Sequence, residues 1–485
     1  MTARESFARA ENFRFGWLAL SVLVLLVGCG GGSDGGLTRV EQGNIDGMLH
    51  FGNGVEPEGL DPHIATGVSE DKIISAIFEG LINKNPYTLD IEPGVAESWE
   101  ISDDGTVYTF HIRENARWSN GDPLTAVDVH WSWQRILNPS LGAQYNYHLF
   151  PVVNAEAYSI GELDDFSQVG VKVLDDYTLQ VQLQSPTPYF LQLLDHYSTF
   201  PVHRPTIEQF GATGSQLTPW ARPGNIVANG AFNLTEWQIN SHVRVEKSDT
   251  YWNVDEVKLN AIVYYPTENL VTEDRMYRDG QLHRTNEIVL DKIPVYQAEI
   301  PEQVRIEPWL GSYFYMFNTT REPFDDVRVR KALAMAIDRD LLVESVMEGI
   351  VPPAYALVPP DPNGYQPPKL FHSDPEAARA LLAEAGYPNG QGFPAFELLY
   401  NTHESHRRLA VAIQQMWQQE LGISVTLTNK EWKVYLEDQD NLNYDMSRRG
   451  WIGDYVDPNT FLELYQTDGG NNKTGFSNAR YDEII

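Results

Sequence analysis

An α/β fold is predicted by three observations. Between Asp374 and Thr428 the hydrophobic period switches from helical to strand-like, back to helical and again to strand-like. Residues with start and stop chemistry bracket those runs. The chain has 485 residues, 42% hydrophobic and 12% aromatic, which is enough apolar surface for several buried cores and excludes a disordered polymer. A single cysteine, Cys29, rules out an intrachain disulfide, so the cores must hold without bridges.

The elements follow in chain order. Met48–Glu56 reads as a strand and turn, and Glu58-Gly-Leu-Asp-Pro62 as a turn. Ile73, Ile74, Ile77, Phe78 and Leu81 form one stripe and predict a helix over Glu70–Leu81. Asp103-Asp-Gly105 is a hairpin signal before the alternating strand Val107–Arg113. A helix over Asp128–Leu137 places Val129, Trp133 and Ile136 on one side. Asp374 is a suitable N-cap with Pro375 at the first helical position, and Gly386 and Pro388 stop that helix. Phe396–Tyr400 is a strand, Ser405–Glu420 a helix burying Leu409, Ile413, Met416 and Trp417, and Ile423–Thr428 the next strand. This β-α-β unit belongs in a mostly parallel sheet, and Asn401 and His406 fall beyond the carboxyl end of its first strand, where ligands of such sheets collect.

The balance of 35 Lys+Arg against 67 Asp+Glu gives a net charge of −32. Nucleic acid and anionic lipid surfaces are therefore excluded as electrostatic partners. Within this acidic chain the stretch Tyr444–Asn459 stands out, because Arg448 and Arg449 are followed by Asp454 across Gly450-Trp451-Ile452-Gly453. A short Gly-flanked apolar run suits a buried strand end whose backbone is free to pair with something else. A ligand carrying an amine and a carboxylate, such as a peptide, needs an acid and a base set apart in this way. Spacing by itself equally fits a strand ending in a polar turn with solvated charges.

The first 28 residues read as an address. Arg4, Arg9 and Arg14 precede an apolar run from Trp17 to Val27, which is shorter than the roughly 20 residues of a membrane span and has the length of a signal-peptide core. The run ends at Gly28-Cys29 and resembles a bacterial lipoprotein signal, with cleavage before Cys29, lipid on that cysteine and a flexible Gly/Ser-rich tether over residues 29–44.

Many short motifs in one order identify a family. Glu79-Gly-Leu81, Pro93-Gly-Val-Ala-Glu-Ser-Trp99, Tyr108–Arg113, Trp118–Ala126, Trp131–Arg135, Asn225–Ala231, Phe324–Arg330, Leu381–Tyr387, Leu398–Thr402 and Gly450–Tyr455 resemble the extracytoplasmic solute-binding proteins of family 5, over nearly all of residues 45–485. Within that family they look like the oligopeptide-binding members of ABC peptide importers. The resemblance implies a two-lobed periplasmic-binding-protein fold (type II-like) with an additional inserted subdomain. Residues 45–78 and 204–310 would form lobe I, 79–203 the insertion and 311–485 lobe III. The family pattern continues beyond Ile485, so the chain reads as lacking the end of its third domain.

The resemblance also implies roles. Asp454 would pair with the α-ammonium of a peptide, since an ammonium closed away from water needs a counter-charge. Gly450 and Ile452 would pair through their backbones with the ligand as an added strand, with Val68 along the other edge. Tyr145, Asn401 and Trp432 would line the pocket. Arg448 and His406 would meet the peptide C-terminus, the arginine by charge-assisted hydrogen bonds. The chain departs from the familiar pattern at Gln439 and Met347, positions that are basic in the best-known members, and at Phe314, where a ligand-side tyrosine is usual. Asp454 can also be a turn residue capping a helix, Tyr145 and Trp432 can be core residues, and His406 a solvated residue at a helix start.

No enzyme is expected. His403-Glu404-Ser405-His406 lacks the zinc-protease spacing, and neither a nucleophile elbow nor a P-loop is present. The expected partners are an oligopeptide, an ABC permease with its cytoplasmic ATPase, and the membrane through the lipid anchor; no cofactor, metal or nucleic acid is called for, and the expected state is a monomer. Two alternatives stay open: another ligand of the same family (murein peptide, dipeptide or nickel complex), and a lipid-anchored peptide hydrolase.

Overall fold

Two separate four-stranded sheets, each with its own apolar core, position everything that follows. The computed structural model describes residues 36–485 except 217, 362, 363 and 371. The leader 1–28 and the lipid site Cys29 therefore lie outside the described residues. Thr38–Ile485 forms one compact unit.

The last residues of the expected tether, 29–44, fall in a helix. Arg39–Asp46 is helical, because Thr38 and Glu41 close a capping box on its first turn and Gly47 ends it in the left-handed conformation at φ +68°. Strand β1 (Met48–Gly54) follows, then the helix Val68–Ile77. That helix is shorter at its C-terminal end than the stripe Glu70–Leu81 predicts. Phe78 is already extended, and Phe78 and Leu81 reach the same core from non-helical backbone, which periodicity cannot distinguish from another helical turn.

The chain then leaves the first sheet. β2 (Ile82–Lys84) and β3 (Ile91–Pro93) pair as a short ribbon. β4 (Ala96–Ile101), β5 (Val107–Ile112), β6 (Val171–Asp175) and β7 (Thr178–Gln182) form an antiparallel sheet in the order β4-β5-β7-β6. The β4–β5 hairpin turns at Gly105, whose φ of +70° satisfies the glycine requirement of the Asp-Asp-Gly signal. The helix Ala126–Ile136 packs Val129, Trp133 and Ile136 inward, as the pattern predicts. The chain returns with β8 (Phe232–Gln238), β9 (His242–Lys247) and β10 (Ala261–Pro266), and the first sheet completes in the order β1-β10-β9-β8 with β1 parallel to β10. One continuous core runs through this sheet and the excursion.

The second sheet holds β11 (Gly311–Phe317), β12 (Phe396–Asn401), β13 (Val425–Lys430) and β14 (Met446–Ile452) in the order β11-β14-β12-β13. β12 is parallel to both β13 and β14, as the β-α-β reading requires, and β11 runs antiparallel to β14. The crossover helix Glu404–Leu421 buries Leu409, Ile413 and Trp417 and ends at Gly422, φ +69°. Each such side chain contributes roughly 1.5–3 kcal/mol by leaving water. The Asp374 side chain caps the helix Pro375–Glu384 by accepting from the Ala377 amide. A small cluster of Tyr145, Val358, Trp451, Phe461 and Leu464 joins the excursion to the second sheet.

Candidate functional site

β14 is the spine of the site. Along one edge it pairs with β11 over its whole length, but on the other edge β12 meets only Met446 and Ser447. The Gly453 amide donates to Leu310 O at 2.7 Å, so the register makes odd-numbered residues of β14 face β11. Alternation turns the backbone groups of Gly450 and Ile452 to the opposite edge, beyond the point where β12 ends. The stretch is not uniformly buried: Trp451 is buried, whereas Gly450 and Ile452 are exposed. The same alternation separates the two arginines. Arg449 donates to Asn471 O at 2.8 Å and to Asn471 Oδ1 at 3.1 Å, while Arg448 points away from it.

Arg448 and its neighbours make the cationic end. Its Nη1 donates to Asn401 Oδ1 at 3.3 Å, and the guanidinium lies over the Tyr313 ring, 5.0 Å from its centre. Asn401 ends β12 and is buried. Among the described residues no carboxylate lies within ion-pair distance of Arg448; Glu287, which pairs with His403 at 3.1 Å, is near enough to feel its charge. Arg448 Nε, Tyr315 Oη and Trp432 Nε1 are buried donors with no partner. His406 is buried, not solvated, and Tyr313 Oη lies 3.4 Å from its Nδ1. Burial, then the Arg448 charge, hold its pKa far below the usual value, so it is neutral. Trp432 stacks on Tyr435, whose hydroxyl donates to Arg448 O. Gln439 does not stand in for a ligand-facing cation. It is buried and donates to Ser447 Oγ at 2.8 Å and Arg448 O at 2.9 Å, which pins β14. Met347 and Phe314 are partly buried apolar residues packed against the cores.

Asp454, just past β14, makes the anionic end. Its Oδ2 lies 3.3 Å from His148 Nε2 and 3.4 Å from Tyr147 Oη, and its Oδ1 lies 3.9 Å from His196 Nε2. Thr460 Oγ1 accepts from its amide at 3.0 Å. The carboxylate caps no helix, and no lysine or arginine pairs with it among the described residues. Burial, then the His148 charge, push the His196 pKa well down. Glu463 is buried beside Asp454; burial first and the Asp454 charge second push its carboxyl well above the ordinary range. Tyr145 packs between His196, at 4.5 Å, and Trp451, at 6.1 Å. Val68 stands apart from these contacts. It is in the first turn of its helix, half exposed, and not on a strand edge. Asp71 in the same helix is near enough to Asp454 to feel its charge, and burial raises its carboxyl.

Sequence reasoning missed Tyr147, His148, His196 and Glu463. His148 lies 306 positions from Asp454. The only local signal is the density of aromatic and histidine residues in Tyr145–His148 and His196-Tyr197.

The family model of bacterial extracellular solute-binding proteins, family 5, matches residues 90–473. The periplasmic oligopeptide-binding protein OppA of Salmonella typhimurium is 38% identical over 451 residues, covering 89% of this chain and 80% of that protein. Haemophilus influenzae OppA in complex with the peptide RPPGFSPFR superposes with a TM-score of 0.85 at 33% identity, covering 91% of this chain and 86% of the other. The Escherichia coli murein tripeptide binding protein MppA gives 0.85 at 34% identity, covering 90% and 86%, whereas its unliganded open form gives 0.59 at 34%, covering 90% and 85%. The present conformation is thus like the first MppA structure and unlike the open one.

Proposed function

The chain belongs to the bacterial extracellular solute-binding proteins of family 5 and is a binding protein, not an enzyme; we propose that it captures oligopeptides outside the cytoplasmic membrane and delivers them to an ABC permease. One observation carries the reading. A carboxylate with no lysine or arginine partner and a guanidinium with no carboxylate partner among the described residues, both largely shielded from water, flank an open strand edge. Burying a lone charge costs several kcal/mol, and a zwitterion laid along that edge offsets both costs at once. Main-chain pairing at Gly450 and Ile452 supplies affinity without reading side chains.

Asp454 takes the α-ammonium in this proposal, with Tyr145 beside it. Arg448, Asn401 and neutral His406 take the carboxylate end, and Trp432 walls that end. Val68 offers a first-turn helix amide from the facing side. Lobe I (45–78 and 204–310), the insertion (79–203) and lobe III (311–485) close by hinge motion, and the closed form docks on the permease. The same reading includes a periplasmic location, lipid on Cys29 as the membrane anchor, and a monomer.

Thermal-shift measurements with peptides of two to six residues test it, because a tight ligand raises the midpoint by mass action. Arg448 and the strand end at Ile452 are already four strand steps apart, about 13 Å at ~3.3 Å per residue, and a dipeptide of about 7 Å does not reach from one end to the other. The expected result is a shift that grows with length and shrinks when either terminus is blocked. A shift indifferent to both blocks would overturn the proposal.

A further inference from the structure

The anionic end holds more donors than one ammonium needs. His148, Asp454 and Glu463 bring one ligand atom each within 4.8 Å of one another, and His148 comes from a distant part of the chain. Glu463 Oε2 accepts from Tyr455 Oη at 3.0 Å and from Asn459 Nδ2 at 3.3 Å, but its Oε1 is buried with no partner at all. A buried carboxyl oxygen left without a partner is destabilising, so a native site with one calls for an occupant. The histidine is already set for a ligand role. Ser198 Oγ lies 3.2 Å from its Nδ1, which fixes the ring with Nε2 toward Asp454. Such a partner on the second ring nitrogen is the usual support of a metal-binding imidazole.

The geometry points to a divalent transition-metal site made by His148 Nε2, Asp454 and Glu463. One imidazole and two carboxylates suit Zn²⁺, or Ni²⁺ and Co²⁺ in its place; an all-oxygen set for Ca²⁺ or Mg²⁺ is not what the fold assembles here. Bond lengths of about 2.0–2.2 Å put donors ~3.4 Å apart, so the three side chains need to draw in by roughly 1 Å. Three protein ligands leave a fourth position open for water. The ion brings an excluded consequence for ligand binding: a metal and an ammonium on the same buried carboxylate repel each other, so Zn²⁺ and a free-amine peptide compete. The competition rests on the peptide reading above, while the site itself does not.

The test uses the full chain stripped of metal. Calorimetric titration with Zn²⁺ should show one equivalent bound, and Co²⁺ should give the visible absorption of a low-symmetry, four-coordinate site. Glu463→Gln should weaken Zn²⁺ about tenfold or more and Ser198→Ala by a smaller factor, with circular dichroism confirming that each variant folds. Absence of one-to-one binding, or unchanged Zn²⁺ affinity in a folded Glu463→Gln protein, overturns the site. Saturating Zn²⁺ should raise the apparent Kd of a free-amine peptide and leave an N-acetylated one unchanged. If Zn²⁺ binds and depends on Glu463 yet leaves the free-amine peptide untouched, the metal site stands and the placement of the ammonium at Asp454 falls.

Discussion

The two charged ends of the site are built differently. At the cationic end Arg448 lies on the Tyr313 ring and accepts its orientation from Asn401, among donors that have no partner. At the anionic end Asp454 is ringed by groups able to donate to it, Tyr147, His148 and His196, and has a second carboxyl, Glu463, behind it. The first is a charge surrounded by spare donors, and the second is a charge already partly solvated by the protein. In the proposed reading the surplus donors of the first end suit acceptors of several kinds, whereas the carboxylate of the second end suits a cation.

That contrast can be broken most sharply at Asp454. Asp454→Asn keeps the shape and removes the charge. Binding of a free-amine peptide should weaken by about 3 kcal/mol, roughly a hundredfold, while an N-acetylated peptide should change severalfold at most. Calorimetry on the two peptides reads the difference, and equal losses would remove Asp454 from the role proposed for it. Arg448→Gln should cost less, about 2 kcal/mol for a free C-terminus, because Tyr313, Trp432 and Asn401 still offer donors. A C-amidated peptide measured on the same variant should be nearly indifferent. If amidation matters equally in both proteins, the carboxylate binds elsewhere.

The strand edge between the ends should respond more weakly and with a period. Replacing successive ligand amides by esters should cost about 1 kcal/mol at alternate positions only, since alternate residues of an extended chain face β14. A uniform loss would argue against strand addition. The smallest effect belongs to Arg408, whose guanidinium meets both Asp291 carboxylate oxygens, at 3.0 and 2.9 Å, and makes no hydrogen bond or ion pair with Arg448 or Asp454. The pair is exposed, so Arg408→Ala should alter peptide affinity by no more than about 1 kcal/mol, and less in high salt.

Much of this was legible in the linear chain where the signal is local. The cap at Asp374 and the hairpin at Gly105 are each decided by one residue's chemistry, and the structure has them where the sequence puts them. Boundaries moved where tertiary packing intervenes. The crossover strand starts at Val425 and not at Ile423, because pairing with β12 begins at Phe396↔Val425. The end of the expected tether range is helical through a capping box that the composition hides. The spacing of Arg448 and Arg449 does not say what either meets, and only the folded sheet places the first beside Asn401 and Tyr313 and the second on Asn471.

By itself the sequence determined the class of fold, the family and the acid–base pair flanking a bare strand, because propensity, capping and motif order act between near neighbours. It could not determine the surroundings of Asp454. His148 and His196 reach that carboxylate from an excursion that leaves the first sheet after β1, and Glu463 from the segment beyond β14. Closing such long loops costs entropy that only the finished cores repay, so the ring of groups around Asp454 exists in the folded protein and nowhere in the chain's local order.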